Sequence, residues 1–260
     1  MLWEKSIDFK DPKPAFDALV EAWRNDDNKV FVLRGAAEAG DVQQFYTESF
    51  SFLGTPIPLA EDVRKGGRAD QRTGQIWTEV RFDPDLPDAY RHSCEAQPLH
   101  TDGSYIPDFP NATLMVCVAN AAEGGETTFI DSEELIDCLS VERLDLLTKL
   151  EQLSVPHSRS GDSRVEKIIN RDQPNTLLNF NYYCVDKNTG EEEKSLANDF
   201  FDFLQNSVAL RKRIIPVKLN PGDAVTWKDR AVLHGRNGFK ATKESERFLW
   251  KCAIDVGNFV

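Results

Sequence analysis

From about Gly74 to its end the chain is a series of short apolar runs that turn residues keep interrupting, which restricts it to a β-rich architecture. The candidate strands are Gln75–Phe82, Thr113–Ala119, Thr127–Asp131, Thr176–Tyr183, Arg213–Leu219, Asp223–Trp227 and Arg247–Asp255. Asn220-Pro221-Gly222-Asp223 separates two of them, with Pro presetting φ and Gly supplying a positive φ. Helical spacing breaks the series at Ser132–Cys138, Val141–Gln152 and Leu196–Leu210. Strands and helices do not alternate regularly, so a parallel α/β sheet is ruled out and a barrel or sandwich with helices outside is expected. The first 73 residues are mixed. A helix is expected over Ala15–Arg24 behind Pro12 and Pro14, a buried strand over Lys29–Arg34, and a helix over Asp41–Phe52 stopped by Gly54 and Pro56. With 260 residues, no repeat and no long linker, one domain is expected: a mixed α/β part over 1–73 packed on a mainly β core over 74–260 with helical insertions.

A net charge of −12 argues against nucleic acid, which needs clustered Lys and Arg, and leaves small molecules as the expected partners. Apolar runs such as Leu114–Ala122 are too short to cross a bilayer, and the opening MLWEKSIDFKDPKP is no secretory signal, so no membrane partner is expected. The cysteines (Cys94, Cys117, Cys138, Cys184 and Cys252) are odd in number, scattered and without a CxxC pair. That pattern fits reduced thiols in a cytoplasmic protein. Nothing in the sequence sets the oligomeric state.

The chain has four histidines: His92, His100, His157 and His234. If QPLHTDGSY is extended, His100 and Asp102 point to one face, because strand side chains repeat every two residues. A third ligand from a distant strand would complete a facial two-His, one-carboxylate set, which leaves positions open on iron(II). The pair alone decides nothing, since four histidines and 43 acidic residues in 260 produce roughly 0.7 H-x-[DE] pairs by chance. Two further features add weight. His234 lies in TWKDRAVLHGRNGF at the end of an apparent strand, and Arg247, thirteen residues on, opens the apolar run RFLWKCAID. An Arg stem laid along a β wall can turn its fork to a carboxylate; a surface ion pair with Glu244 or Glu246 is the competing reading. Gly124-Gly125-Glu126-Thr127-Thr128 makes a tight turn and then offers hydroxyls, as an ordinary hairpin also would. Trp77, Tyr105 and Tyr183 are candidate pocket walls, although strand aromatics are commonly core. Arg236 either orients partners around the site or forms a loop ion pair, while His92 and His157 are read as structural. Gln75–Asp108, irregular near the HxD, is the candidate lid.

In order, HTD, GGETTF, LHGRNGF and ERFLWK resemble the motifs of the taurine dioxygenase-like (TauD/TfdA) family, with its clavaminate and carbapenem synthase relatives, over roughly residues 95–256. The resemblance implies a double-stranded β-helix, or jelly-roll barrel, with helices outside. It also implies a dioxygenase using iron(II), 2-oxoglutarate and O2. By that likeness His100, Asp102 and His234 are the catalytic metal ligands. The cosubstrate would chelate the metal and meet Arg247 through its far carboxylate, helped by Thr127 rather than Thr128. The implied reaction is hydroxylation of an sp3 C–H of a small metabolite, with succinate and CO2 as co-products. Desaturation or ring closure would use the same parts. Halogenation is not implied, because Asp102 stands where halogenating relatives carry a small residue. Lys251 lies where several relatives place a second Arg that binds an anionic substrate group; Lys supplies the charge without the fork. A carboxylate-bearing or amino-acid-like substrate is therefore expected, with Lys251, Tyr105 and Trp77 as substrate-binding candidates. Two other readings keep the same three ligands: a zinc-dependent hydrolase, and a barrel that binds a small ligand without catalysis.

Overall fold

The computed structural model describes residues 1–35, 41–63, 69–107, 110–172, 175–243 and 246–257. Most strands among them fall into two sheets. The major sheet runs Leu2–Ser6, Val30–Arg34, Ala224–Lys228, Ala112–Ala119, Phe248–Asp255 and Thr55–Ile57, and Trp77–Arg81 joins the flank of Phe248–Asp255 beside Thr55–Ile57. Leu2–Ser6 and Val30–Arg34 pair in parallel and the other neighbours antiparallel. The minor sheet is antiparallel throughout: Ile215–Val217, Thr127–Asp131, Val232–Arg236, Gln97–His100. The major sheet draws strands from both sides of residue 74.

Strand alternation decides which side chains meet between the sheets. Val30, Val32, Met115, Cys117, Val225, Trp227 and Leu249 from the major sheet share one core with Phe129, Val217 and Val232 from the minor sheet. The intervening residues face outwards into two helical layers. Leu99, Ile130 and Leu233 pack against Leu135, Leu139, Leu150 and Phe200 of the helices Ser132–Glu142, Leu144–Gln152 and Glu191–Asn206. Phe31, Leu33, Leu114 and Ile254 pack against Phe16, Leu19 and Trp23 of the helix Lys13–Trp23 and Tyr46 of Val42–Glu48. The arrangement is the jelly-roll implied by the sequence motifs, as two facing sheets with helices outside. No helix among the described residues is long and apolar enough to cross a membrane.

Local chemistry explains where the elements begin and where expectation and structure part. The helix after Thr127–Asp131 starts where Asp131 accepts from the Glu133 amide at 2.7 Å, with Glu133 and Glu134 in its first turn against the helix dipole. Thr176–Tyr183 is expected to be a strand, but only Leu177–Leu178 pairs. The Asn181 side chain accepts from the Tyr183 amide at 3.2 Å and turns the chain into a 3-10 segment, Tyr182–Cys184, because a local side-chain bond competes with the ladder. His234 sits in the middle of its own strand, not at the end of one. The hairpin Ser154–Arg159/Asp162–Lys167 had no expected counterpart; Ser160 and Gly161 turn it at φ 53° and 87°, the primed conformation that Ser-Gly accommodates.

Gly235 tests how tightly the minor sheet is held. A Cβ there would lie 2.6 Å from the Gln97 carbonyl oxygen and 3.1 Å from Thr128 Oγ1, both on flanking strands. Gly235→Ala is expected to cost about 1–3 kcal/mol by overpacking and to lower Tm by several degrees. A melting curve superimposable on that of the wild type would show that the strands yield instead.

Candidate active site

The register of the minor sheet sets His234 opposite His100, with ring centroids 4.2 Å apart and both side chains buried. The ladder ends at His100, so Asp102 does not occupy the extended position expected from its spacing. It lies in a turn over residues 102–105 in which Gly103 takes φ 57°. The turn still delivers the carboxylate. Asp102 Oδ1 lies 3.8 Å from His100 Nε2 and Oδ2 lies 3.6 Å from His234 Nε2. One donor atom from each residue falls within 4.8 Å of the others.

The donors are in the protonation states a cation needs. His100 Nδ1 donates to the Pro98 carbonyl at 2.8 Å, which keeps its hydrogen on Nδ1 and leaves Nε2 its lone pair. His234 is oriented by packing, 4.7 Å from the Trp227 ring and 6.5 Å from Phe129, and its Nδ1 is buried without a partner among the described residues. Burial pushes both imidazoles below their ordinary value, so they are neutral. Burial alone would raise the Asp102 carboxyl. Lys251, with Nζ 2.5 Å from Oδ2, acts together with His234 and His100 against burial, and the group is held below the usual carboxylate range. A buried, neutral-imidazole and carboxylate set of this kind fits a divalent metal ion, iron(II) among them.

Behind the set stands a second acid. Thr113 Oγ1 lies 3.3 Å from Asp102 Oδ2 and 2.8 Å from Asp229 Oδ2, and Trp227 Nε1 donates to Asp229 Oδ1 at 3.0 Å. Burial, then the charge of Asp102, pushes the Asp229 carboxyl up to about 7. No spacing rule points to Thr113 or Asp229; strand parity beside Met115 is the only signal for the threonine.

Arg247 is buried rather than paired at the surface; Glu246 instead accepts from the amides of Thr242 and Lys243. Arg247 Nε donates to the Gly125 carbonyl at 3.1 Å, the guanidinium lies 5.4 Å from the Phe239 centroid, and Nη1 has no partner among the described residues. Burial, then Arg236, pushes it down to about 9. It shares a small cleft with Thr127, Cys117 and Leu249. Gly125 at φ 76° is required here, since a Cβ would lie 3.0 Å from Arg247 Cδ and Nε. An idle buried donor beside a hydroxyl fits a carboxylate.

A cavity of about 820 Å³ opens onto the metal set and is lined also by Lys251, Tyr105 and Tyr183. Trp77 is not brought there. Alternation along Trp77–Arg81 turns Thr78 and Val80 to the cavity and Trp77 to the opposite face, where it stacks on Phe50 and donates to Thr47 Oγ1 at 2.9 Å. Arg236 makes no ion pair among the described residues; its Nη2 donates to the carbonyls of Tyr90, Ser93 and Glu95. His92 and His157 are buried and bonded to the backbone carbonyls of Arg81 and Val155. Of the candidate lid, Trp77–Arg81 belong to the major sheet, Ala89–Arg91 form cavity wall, and residue 108 lies outside the described residues.

Comparison with known proteins gives this geometry a class. The sequence matches the Taurine catabolism dioxygenase TauD, TfdA family over residues 2–253, and the chain belongs to that family. It is 26% identical over 176 residues to the alpha-ketoglutarate-dependent sulfonate dioxygenase of Saccharomyces cerevisiae and 24% identical over 162 residues to the gamma-butyrobetaine dioxygenase of Homo sapiens. Those matches take in 57% and 58% of this chain but 42% of each relative, so the aligned part is well under half of those enzymes. The fold is shared more widely. Asparagine oxygenase with Fe(II), 3-hydroxyasparagine and succinate superposes with TM-score 0.71 at 14% identity, covering 95% of this chain and 81% of the other. The non-heme iron oxygenase OrfP with Fe and alpha-ketoglutaric acid superposes with TM-score 0.68 at 14% identity, covering 94% and 80%.

Asp229 generates a pH prediction for the metal-free protein. Its folded carboxyl keeps a proton up to about 7, whereas the unfolded one releases it near about 4. Its stabilising contribution is thus present at the acid end and lost as pH rises through that window. Asp229→Asn, which mimics the protonated acid, should gain in Tm relative to wild type between about pH 5 and about pH 7.5. A Tm difference that does not change with pH would show that Asp229 does not titrate there.

Proposed function

We propose that this chain is an iron(II)- and 2-oxoglutarate-dependent dioxygenase that hydroxylates an sp3 carbon of a small metabolite, giving succinate and CO2 beside the product. The observation that carries this is the pairing of a buried two-His, one-Asp set with a second buried cation, Arg247, whose Nη1 lacks a partner among the described residues. A zinc hydrolase or a passive binding barrel would need nothing at Arg247 and Thr127. Bound iron(II), with 2-oxoglutarate and O2, supplies the oxidant that removes hydrogen from an unactivated C–H bond.

The chain's own residues do the rest. His100, Asp102 and His234 would hold the ion, and Arg247 with Thr127 would hold the far carboxylate of 2-oxoglutarate. Met115, Leu249 and Val80 keep the space between the sheets apolar. The Lys251 ammonium compensates Asp102 in the metal-free site; a bound dication takes over that role and leaves Lys251 to a substrate carboxylate, as in an amino-acid-like metabolite. Tyr105 would line the substrate space. We place the activity in one domain of 260 residues, and the five unpaired cysteines support the reducing cytoplasm as its compartment.

Anaerobic titration of the metal-free protein with iron(II) and 2-oxoglutarate should raise the weak visible charge-transfer band of a chelated keto acid, and His100→Ala should abolish it. Arg247→Ala should raise the 2-oxoglutarate concentration needed for half-saturation by about tenfold to a hundredfold, the worth of a charge-assisted hydrogen bond. No band from folded, metal-loaded protein would remove the oxygenase assignment. An unshifted titration in Arg247→Ala would remove only the role of that arginine.

A further inference from the structure

The cavity differs in charge from the rest of the molecule. The chain carries −12 overall. Outside the metal set and Lys251, which is paired with Asp102, the described cavity lining includes the cations Arg72, Arg91, Arg159 and Lys187 against the carboxylates of Glu61, Asp88 and Asp186. Three of those arginines converge on one acid from separate parts of the fold. Glu61 comes from the short strand Glu61–Val63, Arg91 from the wall beyond Trp77–Arg81, and Arg159 from the end of the Ser154–Arg159 strand. Glu61 Oε1 accepts from Tyr105 Oη at 2.7 Å and Ser160 Oγ at 2.9 Å, and lies 3.4 Å from Arg72 Nη1. Its Oε2 is 3.5 Å from Arg159 Nε, and its main-chain carbonyl accepts from Arg91 Nη2 at 2.6 Å.

The charges do not balance. Arg72 has a closer partner in Asp162, at 2.8 Å. Arg159 reaches Glu61 only at 3.5 Å and Cys184 Sγ at 4.0 Å. The acceptors of Arg91 are the Glu61 carbonyl and His92 Nε2 at 3.3 Å, and burial keeps that imidazole neutral. Among the described residues, these three guanidiniums thus have two carboxylates, Glu61 and Asp162, within ion-pair distance, and neither pairs with Arg91. Burial first, and then Arg159, act against the pull of Glu61 and Asp62 and hold Arg91 below its ordinary value. An excess buried cation is costly unless an anion meets it, and this one faces a cavity large enough for a small metabolite.

We infer that Arg91 and Arg159 form an anion-binding subsite, with Glu61 and Tyr105 fixing their orientation, that takes an oxyanion terminus of the substrate: a carboxylate, sulfonate or phosphate. The word substrate rests on the oxygenase assignment; binding of the anion does not. Tyr105 follows Asp102 by three residues, so the turn that places a metal ligand also places a prop of the subsite.

The test is calorimetric titration of the full, metal-free chain with butanoate, butane-1-sulfonate and butyl phosphate. At least one should bind, and the tightest identifies the headgroup. Arg91→Gln and Arg159→Gln should each weaken it by about tenfold to a hundredfold, Arg159→Lys should restore part of the loss, and Arg247→Gln should leave it in place. Retention of the iron(II)–2-oxoglutarate band in the Gln variants shows that they are folded; should either fail to fold, Arg159→Lys against wild type decides, because loss of the fork must weaken binding. Absence of binding by all three probes, or binding lost in Arg247→Gln and untouched in Arg91→Gln and Arg159→Gln, overturns the subsite. If wild type shows no band yet binds the probe through Arg159, the oxygenase assignment fails and the subsite stands.

Discussion

The antiparallel register between Gln97–His100 and Val232–Arg236 decides where the two histidines of the site face. Side chains in a strand alternate, so a slip of one residue would send His234 into the helical layer and bring Leu233 into the cavity. What holds the register is apolar burial on the other face. Leu99, Ile130 and Leu233 are enclosed by the helices Ser132–Glu142, Leu144–Gln152 and Glu191–Asn206, and each such side chain contributes about 1.5–3 kcal/mol when fully buried. The metal donors therefore owe their positions to leucines and an isoleucine packed into the helical layer. The Gly235 backbone between them approaches Gln97 too closely to admit a side chain.

Given that frame, the inner face has to accommodate charge in a poorly solvated space. Lys251, Asp102, Thr113, Asp229 and Trp227 form one connected series. Two ionised carboxylates joined through a single hydroxyl would repel strongly in a medium of low polarity. The series avoids this by keeping Asp229 protonated through most of the acidic range while Lys251 stabilises the charge on Asp102. The single charged carboxylate is the one that faces the cavity, and the neutral acid behind it serves as a hydrogen-bonded brace.

The legible part of the site was the part encoded in local spacing. His100, Asp102 and His234 could be picked out because two motifs lay in a β context, although Asp102 reaches the site through a Gly103 turn and not through strand alternation. Thr127 was marked only by the resemblance to the family's motifs and Arg247 by its place at the head of an apolar run, and the two line one cleft. Trp77 shows where the signal stops. Both faces of the major sheet are buried, so Trp77 and Val80 are equally apolar and nothing in the run says which faces the cavity. The edge strand Leu2–Ser6, largely exposed, offers no apolar alternation at all. Glu61, Arg91 and Arg159 are separated by 30 and 68 positions and carry no motif, so only the folded chain brings them together.

Arg236 and Arg247 show how the fold concentrates positive charge without bringing the two groups into contact. Their guanidiniums flank one ring, 5.1 and 5.4 Å from the Phe239 centroid, and burial pushes them down to about 10 and about 9. Arg236 commits Nη2 to the carbonyls of Tyr90, Ser93 and Glu95, which ties the cavity wall to the strand that carries His234. Its Nε and Nη1, like Nη1 of Arg247, remain buried without partners among the described residues. The ring face attracts both cations but cannot neutralise either, since a cation–π contact is worth only about 0.5–2 kcal/mol. Arg247 alone of the two lines the cleft with Thr127. A carboxylate entering that cleft would therefore be attracted by two charges and held by one.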